Sequence, residues 1–596
     1  MPPEYNGHMC GILGITQDNE PLVREAAKTI RYRGPDFSSV VTDKSVTLGH
    51  NRLSIIDLDP RSNQPMKSAN DTMRIVFNGE IYNYREIRKE LQDAGAVFRT
   101  ESDTEVLLQG YAKWGAALLG RLRGMYALAL HDKVKNKLIL MTDYSGMKPL
   151  FYAKVGDTFM FGSELKAVLS MMRSVGVQPK LNTASLSLYY ALGYVPAPQT
   201  IVAGVSRMPR RSVLTVDLMT HAVSQTSYAL PSTTVPTSAQ VEALLEQSVE
   251  RHLVADVPVG LFFSGGTDSS LIAAMLAKRN ISLHAFSLEI DSRPEDRHYF
   301  DSIAEHLRLN LHRSFFGPKE FDDIYEEVVA KIDEPLYDSS LFPTYYISRE
   351  ARKHAKVVLS GDGGDEYFLG YPRSVVLSRI AGAPLDSKVG LLDLLYVYTP
   401  RFRGKVKIFE KLFELMRRPI SYYLLTMSPA KDFIGAYEWR TAKSAIAAHA
   451  TTPLMLDADS YLENDLLRKL DSATMYNSIE GRVPLLDPDV MAAAQALMPH
   501  YGPLKEKKPI LKEILARYLP AKLVYRGKRG FGLDAPVYFA SSRYLKMDLE
   551  TAIRVLGEKG VLPPRPLPPM DEIIARRPLF AWQLIFLYHA LHNCDL

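Results

Sequence analysis

Two stretches of this chain carry residue types that packing alone does not call for. Ser264-Gly265-Gly266-Thr267-Asp268-Ser269-Ser270 follows the unbroken apolar run 259–263 and leads directly into Leu271-Ile272-Ala273-Ala274-Met275-Leu276. That is the pattern of a turn between a buried strand and a helix. Such a turn aims bare N–H groups and a helix N-terminus at one spot, and its two glycines let a ligand approach the backbone. The chemistry favoured there is phosphate binding. It is not that of a Walker A loop, which requires G-x-x-x-x-G-K-S/T; no such string occurs in the chain. The second stretch is Met9-Cys10-Gly11-Ile12, where an apolar, strand-like segment begins after a polar leader. A cysteine at a mature N-terminus carries its own general base, because an α-amino group titrates near pH 8 and can take the thiol proton. The plainer reading is a small buried residue opening a strand.

Around these stretches the elements can be placed. After the loop at 264–270, strands are expected at 283–288 and 356–359 with helices between them, the alternation of a parallel sheet flanked by helices. The last of these runs into Ser360-Gly361-Asp362-Gly363-Gly364-Asp365-Glu366. Ligands of open α/β sheets bind beyond the carboxyl ends of strands, so the two Gly- and Asp-bearing loops should face one ligand. In the first half, Arg33-Gly34-Pro35-Asp36 reads as a turn, and Asn78-Gly79 after a strand at 74–77 suits a tight hairpin turn. Ser102 or Asp103 suits a helix N-cap. A strand near 212–216 leads into the Ser/Thr/Pro stretch 231–238, whose composition marks a linker. Further on, Lys507-Lys508-Pro509 opens a helix with proline in its first turn. A lysine there opposes the helix dipole, as it would beside an anionic ligand. Residues 401–418 read as a basic amphipathic helix packing on its own domain, and the proline-rich 562–569 as a linker to a last helix at 579–592.

Composition excludes several classes. The 596 residues suit two domains with a helical extension. With 72 basic and 67 acidic residues the net charge of +5 implies no extended nucleic-acid footprint. Only Cys10 and Cys594 are present, too few for a disulfide scaffold or a Cys-built zinc site. The 14 histidines are scattered, and His298, His306 and His312 read as ordinary helix and loop residues. No apolar run reaches the roughly 18 residues of a membrane span, and the start lacks a basic-then-apolar signal segment. A protein of the cytoplasm, without membrane or nucleic-acid partners, is expected.

Behind Cys10-Gly11-Ile12, four motifs stand in order: Arg33-Gly34-Pro35-Asp36, Arg52-Leu53-Ser54-Ile55-Ile56-Asp57, Asn78-Gly79-Glu80-Ile81-Tyr82-Asn83 and Ser102-Asp103-Thr104-Glu105. Together they resemble the glutaminase domain of class II glutamine amidotransferases. The resemblance implies an αββα N-terminal-nucleophile fold over residues 10–220, with Cys10 attacking the glutamine side-chain amide. Asn78 and the Gly79 backbone would stabilise the oxyanion. Arg52 would grip the substrate carboxylate beside the backbone of Leu53, Ser54, Ile55 and Ile56, and Glu80 and Asp103 would balance its ammonium.

The S-G-G-x-D-S loop, in turn, resembles the pyrophosphate loop of the N-type ATP pyrophosphatases. After a linker at 221–239, the resemblance implies a Rossmann-like, adenine nucleotide α-hydrolase fold over 240–596. Ser264, Gly265, Gly266 and Ser269 would hold phosphate oxygens, with Phe262, Leu288, Ser360 and Gly361 around the adenosine and Asp268 and Asp365 as ligands of Mg²⁺. Ser478-Ile479-Glu480-Gly481-Arg482-Val483-Pro484-Leu485-Leu486-Asp487 resembles a signature lining the acceptor side, and Lys508 takes the position of a catalytic lysine; Lys528-Arg529-Gly530-Phe531-Gly532 completes the match. Taken as one multi-domain α/β chain, the whole resembles the glutamine-hydrolysing asparagine synthetases. The resemblance implies the substrates glutamine, ATP and aspartate or another carboxylate, an acyl-adenylate, ammonia passed between sites, and allows a homodimer.

Three departures stand out. Nine residues precede Cys10, so a free amine on it requires Met9 to be the true start or the leader to be removed; a miscalled or appended start is the preferred reading. Thr142 stands where the family usually writes an arginine, in Met141-Thr142-Asp143-Tyr144-Ser145-Gly146-Met147-Lys148-Pro149-Leu150, and a structural effect is expected there. Asp362 stands where asparagine synthetases commonly carry a catalytic glutamate, and Gly364 where they carry Ser or Ala, which leaves amidation of a different carboxylate open. Other classes fit less well. A lactam-forming synthetase would be expected to lose Cys10, Arg52, Asn78 and Asp103, and a tRNA-modifying relative would need a basic face. A non-catalytic binding protein would have no use for Asp268, Asp365 and Lys508 together.

Overall fold

The computed structural model describes residues 10–34, 36–290, 297–398, 406–525 and 532–596. The leader 1–9, Pro35 and the motif residues Lys528 to Phe531 lie outside them.

The first half is built on two six-stranded antiparallel sheets. In one, the strand Gly11–Ile15 lies between Val46–Arg52 and Thr158–Gly162. In the other, Met73–Ile81 pairs with Gly124–Asp132. Side-chain alternation explains the layering. Ile75 and Phe77 pack in the core beneath the helices Tyr84–Asp93 and Asp103–Trp114. Val76 packs instead with Ile12, Leu48 and Leu140 between the sheets. The helices Glu20–Thr29 and Leu165–Ser174 cover the outer face of the first sheet, which completes the helix, sheet, sheet, helix order implied by the resemblance.

Two local readings change. Asn78-Gly79 is no hairpin turn: both residues lie inside Met73–Ile81, opposite Ala127 and Tyr126. Gly79 sits at φ +145°, and a Cβ on it would come within 2.0 Å of the Met125 carbonyl oxygen. The glycine therefore serves close strand approach, not chain reversal. Val223–Ser227, inside the expected linker bounds 221–239, is a strand that pairs with Ser212–Asp217 and extends the second sheet. The stretch without regular structure runs from 228 to 237, where Thr237 caps the helix Ser238–Arg251 with a capping box.

The second half holds a five-stranded parallel sheet in the order Asn310–Phe316, His284–Ile290, Val259–Phe262, Val357–Leu359, Glu480–Arg482. Chain order runs outward in one direction from Val259–Phe262 and then reverses to Val357–Leu359. The reversal lies between the two strands that feed the Gly- and Asp-bearing loops, and a crevice opens at such a switch point. The outermost strands escape sequence reading, one because His312-Arg313-Ser314 interrupts any apolar period, the other because it has three residues, none apolar. Helices fill the extension from Pro372 onward. Val406–Leu415 buries Phe409 and Phe413 on its own domain, and the last helix, Pro578–Asn593, is buried around Trp582.

Candidate active sites

Cys10 sits just ahead of the strand Gly11–Ile15, beside an apolar cluster, and among the described residues the hydrogen-bond partners of its Sγ are the Leu53 N–H at 3.4 Å and the Leu53 carbonyl at 3.6 Å. Burial pushes the thiol up to about 12, against the lowering effects of the Leu53 hydrogen bond and Arg52. At neutral pH it is a thiol that needs a base. Arg52, at the end of the paired strand Val46–Arg52, is buried and donates to the carbonyls of Asp57 and Asp59 and to Asn63 Oδ1. Neutral oxygens thus hold a guanidinium that keeps its charge for an anion.

Asn78 is fully buried, and neither its Nδ2 nor its Oδ1 has a hydrogen-bond partner among the described residues. Glu80, two positions along the strand, leaves its Oε2 likewise unpartnered. Asp103 opens the helix Asp103–Trp114, capped by Ser102, and accepts the Ile81 N–H at 3.0 Å. Burial raises its carboxyl to about 7. Glu80 rises well above the usual range through burial first, then the carboxylates of Asp103 and Glu480. A buried, mutually repelling set of carboxylates is what an ammonium group would relieve.

Glu480 is the residue the sequence reading missed here. The signature Ser478 to Asp487 was expected on the acceptor side, yet Glu480 and Arg482 face the first half. Arg482 is fully buried, bonds Glu480 at 2.6 Å, donates to the carbonyls of His252 and Val254, and lies over the Tyr82 ring. Only the end of the signature reaches the other site, where Leu485 and Leu486 pack against the positions of Gly364 and Gly363. The halves are also locked by buried charges. Arg33, expected in a turn, joins Glu164 and, at 2.8 Å, Asp471, which Lys148 meets at 3.2 Å. The hydroxyl of Thr142, in place of an arginine, ties its strand to the Pro209 carbonyl at 2.7 Å. Asp143 then gathers the N–H groups of Ser145, Gly146 and Met147.

At the switch point of the parallel sheet lies a cavity of about 710 Å³. Every residue assigned to the nucleotide, metal and adenylating roles lines it, from the loop after Val259–Phe262, from Leu288, from the loop after Val357–Leu359 and from Lys508. Gly265, at φ +62°, turns the first loop, and the Ser264 N–H and hydroxyl meet Ser269 Oγ at 3.2 and 3.1 Å. Lys508 adopts a left-handed conformation, φ +54°, as the N-cap of Pro509–Leu515. Its ammonium bridges the Asp268 carboxylate and, at 2.8 Å, that of Asp365. The two carboxylates raise the Lys508 ammonium above its ordinary range despite burial. The glycines make this approach possible, since a Cβ on Gly364 would fall 2.4 Å from Asp268 Oδ1 and one on Gly370 1.8 Å from Asp365 Oδ1. Asp362 accepts from the Ser360 hydroxyl. Lys469 and Glu366, which also line the cavity, were not foreseen. Burial and the neighbouring Asp365 carry Glu366 up to about 8.

A cysteine-headed double-sheet layer joined to an open parallel sheet with a phosphate-loop crevice defines a two-domain glutamine amidotransferase of the synthetase kind. Comparison with known proteins fixes the family. A glutamine amidotransferase domain model matches residues 9–229 and an asparagine synthase model residues 240–554. A Mycobacterium bovis protein provisionally named asparagine synthetase (glutamine-hydrolyzing) is 34% identical over 586 residues, covering 88% of this chain and 87% of that protein. Asparagine synthetase (glutamine-hydrolyzing) 1 of Bacillus subtilis is 31% identical over 561 residues, with 88% and 87% covered. Asparagine synthetase B of Escherichia coli is 27% identical over 581 residues, with 91% and 87% covered. The chain belongs to the asparagine synthase family, a family of ATP-using ligases, and carries the glutamine amidotransferase domain of its glutamine-hydrolysing members. Among the described residues no helix is long and apolar enough to cross a membrane.

Proposed function

We propose that the chain converts glutamine, ATP, aspartate and water to asparagine, glutamate, AMP and pyrophosphate, the water releasing glutamate from Cys10. Cys10 attacks the glutamine amide. Among the described residues its Sγ has no side-chain hydrogen-bond partner; we assign the base that takes the proton to the Cys10 α-amine, with an active form that begins at Cys10. The buried Asn78 amide and the Gly79 N–H receive the oxyanion, Arg52 the substrate carboxylate, and Glu80 and Asp103 its ammonium. Ammonia then crosses the buried interface marked by Arg33, Asp471 and Arg482 to the second site.

There the carboxylate acceptor is activated at the α-phosphorus of ATP, because a carboxylate resists attack until one of its oxygens becomes part of a phosphate leaving group. The 264–269 loop holds the departing pyrophosphate, and Lys508 meets the developing charge. Asp268 and Asp365 offer hard oxygen donors on both sides of one cation position, a set that fits magnesium. Bound there, Mg²⁺ would neutralise pyrophosphate charge. The observation that carries this reading is the convergence of the residues assigned to the nucleotide, metal and adenylating roles, from four separate segments, on one cavity with an ammonium between its two carboxylates.

A second acceptor is favoured by Asp362. Its side chain is one methylene shorter than the usual glutamate and is turned onto Ser360, which shifts a charge by about 1 Å in a site where placement sets the rate. The test is to incubate protein beginning at Cys10 with amide-labelled glutamine, Mg-ATP and aspartate, following products by mass spectrometry. Labelled asparagine in step with AMP is expected. Glutamate without asparagine or AMP would assign the machinery to another carboxylate, such as a uronic acid or a peptide-like metabolite.

A further inference from the structure

At the opposite edge of the parallel sheet, three histidines that are far apart in sequence come together. His284 is the first residue of the strand His284–Ile290, His312 the third of Asn310–Phe316, and His354 stands in the connection between the helix Leu341–Ala351 and the strand Val357–Leu359. Each offers one ring nitrogen, and the three atoms lie within 4.8 Å of one another. His284 Nδ1 and His312 Nε2 are 2.7 Å apart, and the ring centroids are 4.4 to 5.3 Å apart. We propose that His284, His312 and His354 form a binding site for a divalent transition cation of the zinc type, distinct from the carboxylate site of the nucleotide cavity.

Three observations support it. The Asn310 side-chain amide donates to His284 Nδ1 at 3.2 Å, so this nitrogen is an acceptor whose lone pair a cation would take over from the Asn310 N–H. Phe286 closes one side, 5.3 Å from the His312 ring and 6.0 Å from the His354 ring, while His354 is exposed, which leaves an entry path and a fourth coordination position.

The donor set also selects the ion. Imidazole nitrogens suit zinc, nickel, copper and cobalt and serve magnesium poorly. Tetrahedral coordination at about 2.0–2.1 Å places ligand nitrogens about 3.4 Å apart. The 2.7 Å contact therefore opens and the 4.8 Å span closes, changes within reach of side-chain rotation. A cation there would staple the starts of two strands to the connection leading into a third. One of those strands carries Leu288 beneath the nucleotide, four residues and about 13 Å further on.

The experiment uses the full-length, untagged Cys10→Ala protein stripped of metal, with excess Mg²⁺ to occupy oxygen sites. Removing the Cys10 thiol leaves Cys594, which is fully buried, as the remaining thiol, so imidazole is the accessible donor class for such a cation. Titration with Co²⁺ is expected to give intense visible bands of a tetrahedral nitrogen site, saturating at one equivalent and fading as pH falls and the rings take up protons. Zn²⁺ should displace the Co²⁺ and raise the melting temperature. His354→Ala, at an exposed position that folding tolerates, should weaken binding at least about tenfold, since even lost outer-shell partners cost that much; His312→Ala should do the same. Absence of tetrahedral bands up to millimolar Co²⁺, or an unchanged titration in the His312→Ala/His354→Ala double variant, would overturn the proposal.

Discussion

The two reaction sites are prepared in opposite ways. In the first half the polar groups wait unpaired: both amide atoms of Asn78 and one oxygen of Glu80 are buried without partners among the described residues, and Arg52 bonds only neutral oxygens. In the second the charges are already matched, with one ammonium joining two carboxylates. An orphaned buried polar group costs about 1–3 kcal/mol, so the fold holds these groups in place at the expense of stability, and under the proposed function glutamine completes them. The nucleotide cavity costs the fold little, and its ligands must displace or share an existing ion pair. Buried, unpaired groups of this kind suit one small substrate with two charges. A larger, open crevice suits a nucleotide, a metal and an acceptor that arrive and leave separately.

The sharpest break of this comparison is at the nucleophile. Cys10→Ala should abolish glutamine-dependent synthesis and leave ammonia-dependent synthesis intact, measured as AMP released with each nitrogen source. Loss of both would mean the sites do not work independently. Next in size, Lys508→Met should lower AMP formation about 100-fold or more with either nitrogen source. It should also lower thermal stability, because Asp268 and Asp365 then face each other unshielded, and added Mg²⁺ should recover part of that loss. A melting temperature indifferent to Mg²⁺ in this variant would remove the two carboxylates as its ligands. Asn78→Ala should lower glutaminase kcat about 10²- to 10³-fold with melting unchanged or raised, since the unpaired amide leaves with the side chain. Gly79→Ala should instead destabilise the sheet outright, because its Cβ would meet backbone on the paired strand.

What the sequence made legible follows the same divide. The nucleotide loops were readable because each is local: an apolar run, glycines where the turn needs them, and an acid or serine at the head of a helix. The capping serine of Asp103–Trp114 was readable for the same reason. Pairing across the chain was not. Asn78-Gly79 has the local signature of a turn, and only its register against Ala127 and Tyr126 shows it to be mid-strand. Glu480–Arg482 has no apolar residue, yet it is a buried strand because it pairs with Val357–Leu359 and its arginine finds Glu480 and two carbonyls. The placement of Glu480 beside Glu80 and Asp103, and of three histidines at the far edge of the sheet, depends on the order of strands. No spacing in the chain encodes that order directly.

The smallest expected effect tests whether the unpaired carboxylates are what the glutamine pocket uses. Burial raises Asp103 from an ordinary aspartate value near 3.8 to about 7. In the free protein its ionised form is therefore penalised, and the penalty develops as pH climbs from about 4 to 7. The α-ammonium of glutamine offsets that penalty and favours the carboxylate. Binding should be tightest above pH 7, where Asp103 is already ionised, and below it each bound glutamine must expel a proton. The KM for glutamine is expected to rise as pH falls through 7, by up to about tenfold per unit, until the lower value of the liganded carboxyl is reached. Ammonia-dependent AMP formation should show no such step once corrected for the fraction of free NH₃. Asp103→Asn should give a high KM that no longer changes across this range. A KM in the unaltered protein that stays flat from pH 6 to 8 would mean that the ammonium is met by other groups, and the contrast between a waiting pocket and a self-paired cavity would then rest on Asn78 and Arg52 alone.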